Sequence, residues 1–167
     1  GLAIATELPL VVLNVQRAGP STGMPTKTEQ ADLFQALFGR NGESPVVVLA
    51  ANSPADCFAT AFEACRIAIE YMIPVVLLSD AFLAHGSEPW LIPQTKNIPK
   101  IRNHLFKKSN GFSPFRREKS TLARQWGIPG TKGLEHRVGG LEKDIETGDV
   151  SYDPENHEKM MNLRQQK

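Results

Sequence analysis

An α/β protein, an open parallel sheet with flanking helices followed by an extended irregular arm, is the architecture this sequence predicts. Three observations carry that expectation. Short apolar runs rich in β-branched residues recur at residues 8–15 (Leu-Pro-Leu-Val-Val-Leu-Asn-Val), 45–51 (Pro-Val-Val-Val-Leu-Ala-Ala) and 74–79 (Pro-Val-Val-Leu-Leu-Ser). Segments with helical spacing of apolar residues lie between them. After Pro93 the texture changes to proline, glycine, lysine and serine with isolated aromatic residues.

Apolar runs that do not alternate are those of strands buried on both faces, as in a parallel sheet. Proline at a strand's first position is tolerated, because the missing N–H precedes the ladder. The first predicted helix covers residues 28–38, where Ala31, Phe34, Leu37 and Phe38 recur at three- and four-residue spacing. Thr26 with Glu29 reads as its capping box. The second follows Ser53 as N-cap, with Pro54 at the first helical position and Asp56 in the first turn. Phe58, Ala61, Phe62, Cys65, Ile69 and Met72 line one of its faces. Strand and helix alternating with short connections imply crossovers onto one parallel sheet. Residues 1–93 are therefore expected to form the α/β unit and residues 94–167 a connector arm. That arm is irregular over 94–150, with helical spacing returning near 155–166, and is expected to run across another domain or subunit.

A length of 167 residues suits one core, and 41% apolar with 22% charged residues suits a globular chain rather than a disordered one. No apolar run approaches the roughly 18 residues of a membrane span, so no membrane partner is expected. No basic-then-apolar leader opens the chain. The first residue is Gly1 rather than Met, which suggests a chain cut from something longer or processed. Residues 1–93 carry 4 Lys/Arg against 9 Asp/Glu, and residues 94–167 carry 15 against 9. The basic half alternates in sign (Arg116, Arg117, Glu118, Lys119), forms no stripe, and does not suggest nucleic acid. The two cysteines, Cys57 and Cys65, would stand roughly 12 Å apart on one helix, too far for a disulfide. They read as small buried residues of a cytoplasmic protein.

In open parallel sheets ligands bind beyond the carboxyl ends of the strands. Of the loops there, residues 14–27 are richest: Arg17 supplies a guanidinium, Ser21, Thr22 and Thr26 supply hydroxyls, and Gly19 and Gly23 supply flexibility. With a helix N-terminus alongside, this composition fits a carboxylate or phosphate. A turn shaped by glycine and proline, with Arg17 paired to an acidic neighbour, fits it too. Gly19-Pro20-Ser21-Thr22-Gly23 matches G-x-S-x-G, but a nucleophile elbow turns sharply from strand to helix and this loop is long. No Gly-Lys-Ser/Thr follows, so a Walker loop is excluded. Gln16 and Ser21 are further crevice candidates. Asp80 could face the same crevice or cap the next helix. His85, His104, His136 and His157 form no metal-ligand pattern.

The run Val15-Gln16-Arg17-Ala18-Gly19-Pro20-Ser21-Thr22-Gly23-Met24-Pro25-Thr26-Lys27-Thr28-Glu29-Gln30-Ala31-Asp32-Leu33 resembles the signature of 2-oxoacid:ferredoxin oxidoreductases. The similarity continues through Val48-Leu49-Ala50, Ser53-Pro54 and Pro74-Val75-Val76-Leu77-Leu78-Ser79-Asp80. Later stretches resemble the 2-oxoglutarate branch: Ile128-Pro129-Gly130-Thr131, Gly133-Leu134-Glu135-His136-Arg137, Gly139-Gly140-Leu141-Glu142-Lys143 and Ser151-Tyr152-Asp153-Pro154-Glu155-Asn156-His157.

The resemblance implies the pyrimidine-side part, incomplete here, of the thiamine-diphosphate-binding fold of an α subunit. It implies oxidative decarboxylation of 2-oxoglutarate, with coenzyme A taking the acyl group and electrons passing to ferredoxin. Arg17 would then hold a substrate carboxylate, with Thr22 and Thr26 bonding substrate from the same loop. Thiamine diphosphate with Mg2+, and a [4Fe-4S] cluster, would be held mainly outside this chain and on a β subunit. This chain alone would be inactive, with no catalytic residue and no metal ligand of its own. A non-catalytic anion-binding or assembly module, or an enzyme for pyruvate or a branched-chain 2-oxoacid, are the rival expectations.

Overall fold

The computed structural model describes residues 1–167. The three apolar runs become β1 (Leu10–Gln16), β2 (Val47–Ala50) and β3 (Pro74–Asp80), all parallel, in the order β1-β3-β2. Around them lie α1 (Leu2–Thr6), α2 (Leu33–Phe38), α3 (Asp56–Tyr71) and α4 (Ala81–His85). The arm adds a short 3-10 turn (Thr95–Asn97), the two-residue pair β4 (Leu105–Phe106) and β5 (Trp126–Gly127), and a last helix, α5 (Pro154–Gln166). No helix is long and apolar enough to cross a membrane.

Burial on both faces holds for β3, where Val75, Leu77 and Leu78 are all buried. It fails for β1, which has β3 as its one neighbour and leaves Leu10, Val12, Leu13 and Val15 exposed. Apolar composition identifies a strand, but the order in the sheet decides which strand is central. The register aligns Gln16 with Asp80. The segments that follow β1 and β3 therefore leave the sheet side by side at its carboxyl end.

Helix α3 begins at Asp56, two residues beyond the predicted first position, with Ala55 rather than Ser53 as its N-cap. The Ser53 hydroxyl accepts from the Asp56 amide (3.3 Å), and the Asp56 carboxylate accepts from the Asn52 amide and the Thr60 hydroxyl (3.0 Å each). Its buried face differs from the predicted stripe. Ala64 and Ala68 pack against Val75, with Val11, Val47, Leu49 and Ile67 around them. Small side chains let the helix lie close on the sheet, and the bulkier Phe58 turns aside to meet Trp90 at 5.5 Å between ring centres. Met72 is fully buried at a left-handed helix end (φ 54°), whereas Cys65 is exposed rather than buried.

The predicted helix over 28–38 is cut to Leu33–Phe38. Its polar first half is drawn out straight because Gln30 and Asp32 are tied to the strand ends, and those ties outweigh helix propensity. Helix α4 is capped by Asp80, whose carboxylate accepts from the Leu83 amide at 3.0 Å.

The arm is fastened to the α/β unit through Glu7. This residue ends α1 in the left-handed conformation (φ 51°), and its carboxylate is buried against Arg117 (2.6 Å), Lys167 (2.9 Å) and Lys143 (3.3 Å). Arg124, wholly buried, donates to the Glu7 carbonyl at 3.1 Å, and Lys143 also donates to the Ala5 carbonyl. These cations satisfy carbonyls that a helix C-terminus leaves without partners, where positive charge is favoured. Burial pushes the Glu7 carboxyl up, but the charges of Lys167, Arg117 and Lys143 outweigh it and bring it down to about 2. Burial drives Lys143 and Lys167 below the ordinary lysine range, with Glu7 pulling the other way.

Phe115 completes this knot, with the Arg124 and Lys143 cations 5.6 and 5.2 Å from its ring centre. Gly148 makes room for that ring: a Cβ there would stand 1.9 Å from Phe115 Cε2. Helix α5 starts at Asp153, which accepts from the Glu155 and Asn156 amides (3.2 and 3.3 Å). Buried Asn156 then joins α5 to the arm, donating to the Lys143 carbonyl (2.8 Å) and accepting from the Ile145 amide (3.0 Å).

Candidate functional site

The segment between β1 and α2 is the loop richest in polar chemistry, and its own backbone holds it in shape. The Ala18 amide donates to the Lys27 carbonyl (3.1 Å), the Met24 amide to the Ala18 carbonyl (3.1 Å), and the Lys27 amide to the Met24 carbonyl (3.2 Å). Ser21 (φ 55°), Gly23 (φ 51°) and Thr26 (φ 69°) all take the left-handed conformation. For a serine and a β-branched threonine this costs about 1–3 kcal/mol each, a strain that persists only where the surroundings over-determine it. Gly23 is required outright, since a Cβ there would sit 1.9 Å from the Ala18 carbonyl oxygen. Gly23→Ala is expected to open the Ala18–Met24 contact. Hydrogen exchange at the Met24 amide should then accelerate by roughly tenfold or more; unchanged protection would show that the loop does not need this approach.

Arg17 projects from the loop into solvent. Its one hydrogen bond within the chain goes from Nη1 to the Thr22 carbonyl, at 2.7 Å, and it takes part in no ion pair. The expected alternative, a pairing of Arg17 with an acidic neighbour, is therefore not what the fold adopts. The nearby Glu29 carboxylate turns instead to the Gly19 amide, at 3.1 Å. Thr22, Thr26 and Ser21 are exposed on the same loop, and their hydroxyls bond nothing within the chain. One guanidinium fork and three hydroxyls without internal partners are thus presented by a braced loop. That donor set matches a carboxylate or another planar oxyanion.

The capping box is not formed. Thr26 is left-handed and Glu29 bonds Gly19, and the next helix starts seven residues after Thr26, at Leu33. Helix α2 therefore does not present its N-terminus to the loop, and the N-terminus of α4, beside the loop's first residues, is taken up by the Asp80 carboxylate.

Gln16 and Asp80, both candidates for the crevice, are buried and fully engaged. Gln16 donates to the Ser79 carbonyl (3.2 Å) and accepts from the Asp32 amide (2.9 Å). Asp80 accepts from the Gln30 side chain (2.7 Å) as well as from the Leu83 amide (3.0 Å). The Gln30 donor, acting against burial and helped by the Leu83 and Phe82 amides, holds the Asp80 carboxyl below the usual carboxylate range. Asn14 joins the group by donating to Asp32 at 2.9 Å. Sequence reasoning overlooked Gln30, Asp32 and Asn14. The available signal was Asn14 and Gln16 in an otherwise apolar strand, two positions apart and so on one face.

The chain's larger cavities are lined by other residues: two of about 440 Å3, one beside Leu2 and Leu141 and one beside Phe58 and Trp90, and one of about 370 Å3 beside Trp126 and His136. The loop is an open surface that needs a second wall to enclose a ligand. No group of three or more His, Cys, Asp and Glu side chains is placed to hold a metal ion, so these residues do not fit a metal or cluster site. His104 bonds the Glu70 carbonyl, His136 the Leu134 carbonyl and His157 the Glu142 carboxylate.

Residues 1–153 match the family described as "Pyruvate flavodoxin/ferredoxin oxidoreductase, thiamine diP-bdg". The chain is 62% identical over its whole length to the 2-oxoglutarate oxidoreductase subunit KorA of Mycobacterium tuberculosis, spanning 26% of that protein. It is 36% identical over 162 residues to the 2-oxoglutarate synthase subunit KorA of Methanothermobacter marburgensis, covering 96% of this chain and 42% of that one. Among solved structures it superposes with a TM-score of 0.87 and 36% identity on the 2-oxoglutarate:ferredoxin oxidoreductase from Magnetococcus marinus with 2-oxoglutarate, coenzyme A and succinyl-CoA bound. That match covers 98% of this chain and 28% of the other. The chain thus spans between a quarter and a half of the length of the relatives it matches.

Proposed function

Because the chain belongs to the pyruvate flavodoxin/ferredoxin oxidoreductase family, in its thiamine-diphosphate-binding part, we propose that it supplies the substrate-binding loop of a 2-oxoglutarate:ferredoxin oxidoreductase α subunit. In this reading the assembled enzyme converts 2-oxoglutarate and coenzyme A to succinyl-CoA and carbon dioxide, and two oxidised ferredoxins take up the two electrons. The single observation that carries the reading is Arg17: a guanidinium free of any carboxylate, on a braced loop, at the carboxyl end of a parallel sheet.

Thiamine diphosphate, when bound, supplies the carbanion-stabilising chemistry of decarboxylation. The role of this chain's residues is to bind and orient. Arg17 takes a substrate carboxylate in its fork, and Thr22 and Thr26 donate hydroxyl hydrogen bonds from the same loop. Together they fix where the 2-oxo carbon stands, a positioning that can supply several kcal/mol of the barrier reduction. Gln16 and Asp80 hold the strand ends and stay out of contact with substrate.

A β subunit would provide the second wall, the Mg2+ with the cofactor's diphosphate and the [4Fe-4S] cluster. Two features support such a partner. The loop is open, and Leu91 and Ile92 are 92% and 83% exposed next to half-exposed Trp90, an apolar surface of the kind that marks interfaces.

The test is viologen reduction by the full-length α chain with its β partner, thiamine diphosphate and coenzyme A, offering 2-oxoglutarate or pyruvate. Reduction with 2-oxoglutarate is the expected result. Reduction with pyruvate alone would reassign the substrate, and no reduction with either by a cofactor-loaded complex would overturn the reading.

A further inference from the structure

The substrate loop is stiff within itself, so its placement over the sheet is decided where its two feet are attached. Internal bonds run from Ala18 to Lys27, Met24 to Ala18, Gly19 to Glu29 and Arg17 to Thr22. The outgoing foot is Gln16, aligned with Asp80 on the neighbouring strand. The returning foot is the straightened stretch that ends at Asp32, where a helix was expected. It is held at two points. Asp32 is gripped through its amide by Gln16 (2.9 Å) and through its carboxylate by Asn14 (2.9 Å). Gln30 donates to Asp80 at 2.7 Å, and the other oxygen of that carboxylate caps α4 through the Leu83 amide.

We infer that Gln30 and Asp80 are positioning residues for the 2-oxoacid: their donor–acceptor pair, with the Gln16–Asp32 clamp behind it, sets where Arg17, Thr22 and Thr26 stand over the sheet. Asp80 is buried and Gln30 exposed, so the pair ties an outer segment to a fixed inner post. Neither side chain needs to touch substrate. Because the loop is braced, a shift at Gln30 carries to the substrate-facing side chains as a displacement of the whole unit. This inference rests on the proposed function.

The test exchanges donor and acceptor in the assembled enzyme. Gln30→Glu places two carboxylates where an amide and a carboxylate met, and their repulsion lifts the returning foot. Asp80→Asn alone keeps the oxygen that caps α4, and the Gln30 amide can turn to present its oxygen, so this variant serves as the folding control. The double variant Q30E/D80N restores one donor facing one acceptor.

The expected result is a rise of about tenfold or more in KM for 2-oxoglutarate in Q30E, with kcat lowered as well because the 2-oxo carbon is misplaced, KM for coenzyme A unmoved, and near-parental KM and kcat restored in Q30E/D80N. Hydrogen exchange at the Met24 and Asp32 amides should accelerate in Q30E and return in the double variant. A Q30E enzyme with parental KM and exchange would overturn the latch. A raised KM that the double variant fails to restore would overturn the pairing. Exchange that responds while KM does not would overturn the positioning role and leave the functional reading, which Arg17 tests, standing. A parent complex that turns over no 2-oxoacid would overturn that reading, and the exchange arm alone would still decide whether the latch exists.

Discussion

Replacing Arg17 with alanine in the assembled enzyme is expected to lower kcat/KM for 2-oxoglutarate by roughly 10²–10³-fold, the equivalent of about 3–4 kcal/mol. On the proposed function, the size follows from leaving a substrate carboxylate without its charged partner in a site that the partner subunit would close to water. Arg17→Lys should fall between parent and alanine, because an ammonium keeps the charge and loses the planar fork. Stability should hardly move, since the side chain's one internal bond is to the Thr22 carbonyl at the surface. That separation makes the measurement informative. A loss of activity with an unchanged melting temperature assigns Arg17 to substrate, and a variant with parental kcat/KM would remove the main support for the proposed function.

Glu7→Gln is expected to have the largest effect on stability, about 3–5 kcal/mol, the range for deleting one partner of a buried ion network. The glutamine would leave Arg117, Lys143 and Lys167 buried with their counter-charge gone. For a chain of this size the loss corresponds to a fall of about 10 °C in melting temperature.

The pH dependence follows from the same network. Glu7 lies at about 2 in the folded protein against an ordinary 4.5. A carboxyl lowered by folding contributes stability that is present in full above its ordinary value and is lost as pH falls toward its folded one. The difference between parent and Glu7→Gln in denaturant melts should therefore be constant above about pH 5 and shrink by about 3 kcal/mol on approaching pH 2. A difference that stayed constant down to pH 2 would show that Glu7 acts through packing rather than charge.

Much of the fold was legible because its causes are local. Val47–Ala50 and Pro74–Asp80 announce themselves as strands by an unbroken apolar run after proline, and Ser53, Pro54 and Asp56 announce the start of α3 by their order. The loop was legible as a polar segment, an arginine among glycines, prolines and hydroxyls at a strand's carboxyl end. What misled was the stretch before α2, where helical spacing of Ala31, Phe34, Leu37 and Phe38 says nothing of Gln30 and Asp32 being needed elsewhere. The stripe on α3 misled for a related reason. Periodicity finds a face, but only the sheet's distance shows that Ala64 and Ala68 are the side chains that fit against it.

By itself, then, the sequence determined that this chain forms a parallel α/β sheet and where along it the polar loop after β1 occurs. Backbone propensity, proline, and the choice of side chains over a dozen neighbouring residues are enough to specify both. Only the tertiary structure decided that Glu7 gathers Arg117, Lys143 and Lys167, and that Asp80 holds Gln30 while Gln16 holds Asp32. Such pairs acquire their energy from burial and a short distance, and residues from 16 to 160 positions apart have neither until the chain has folded.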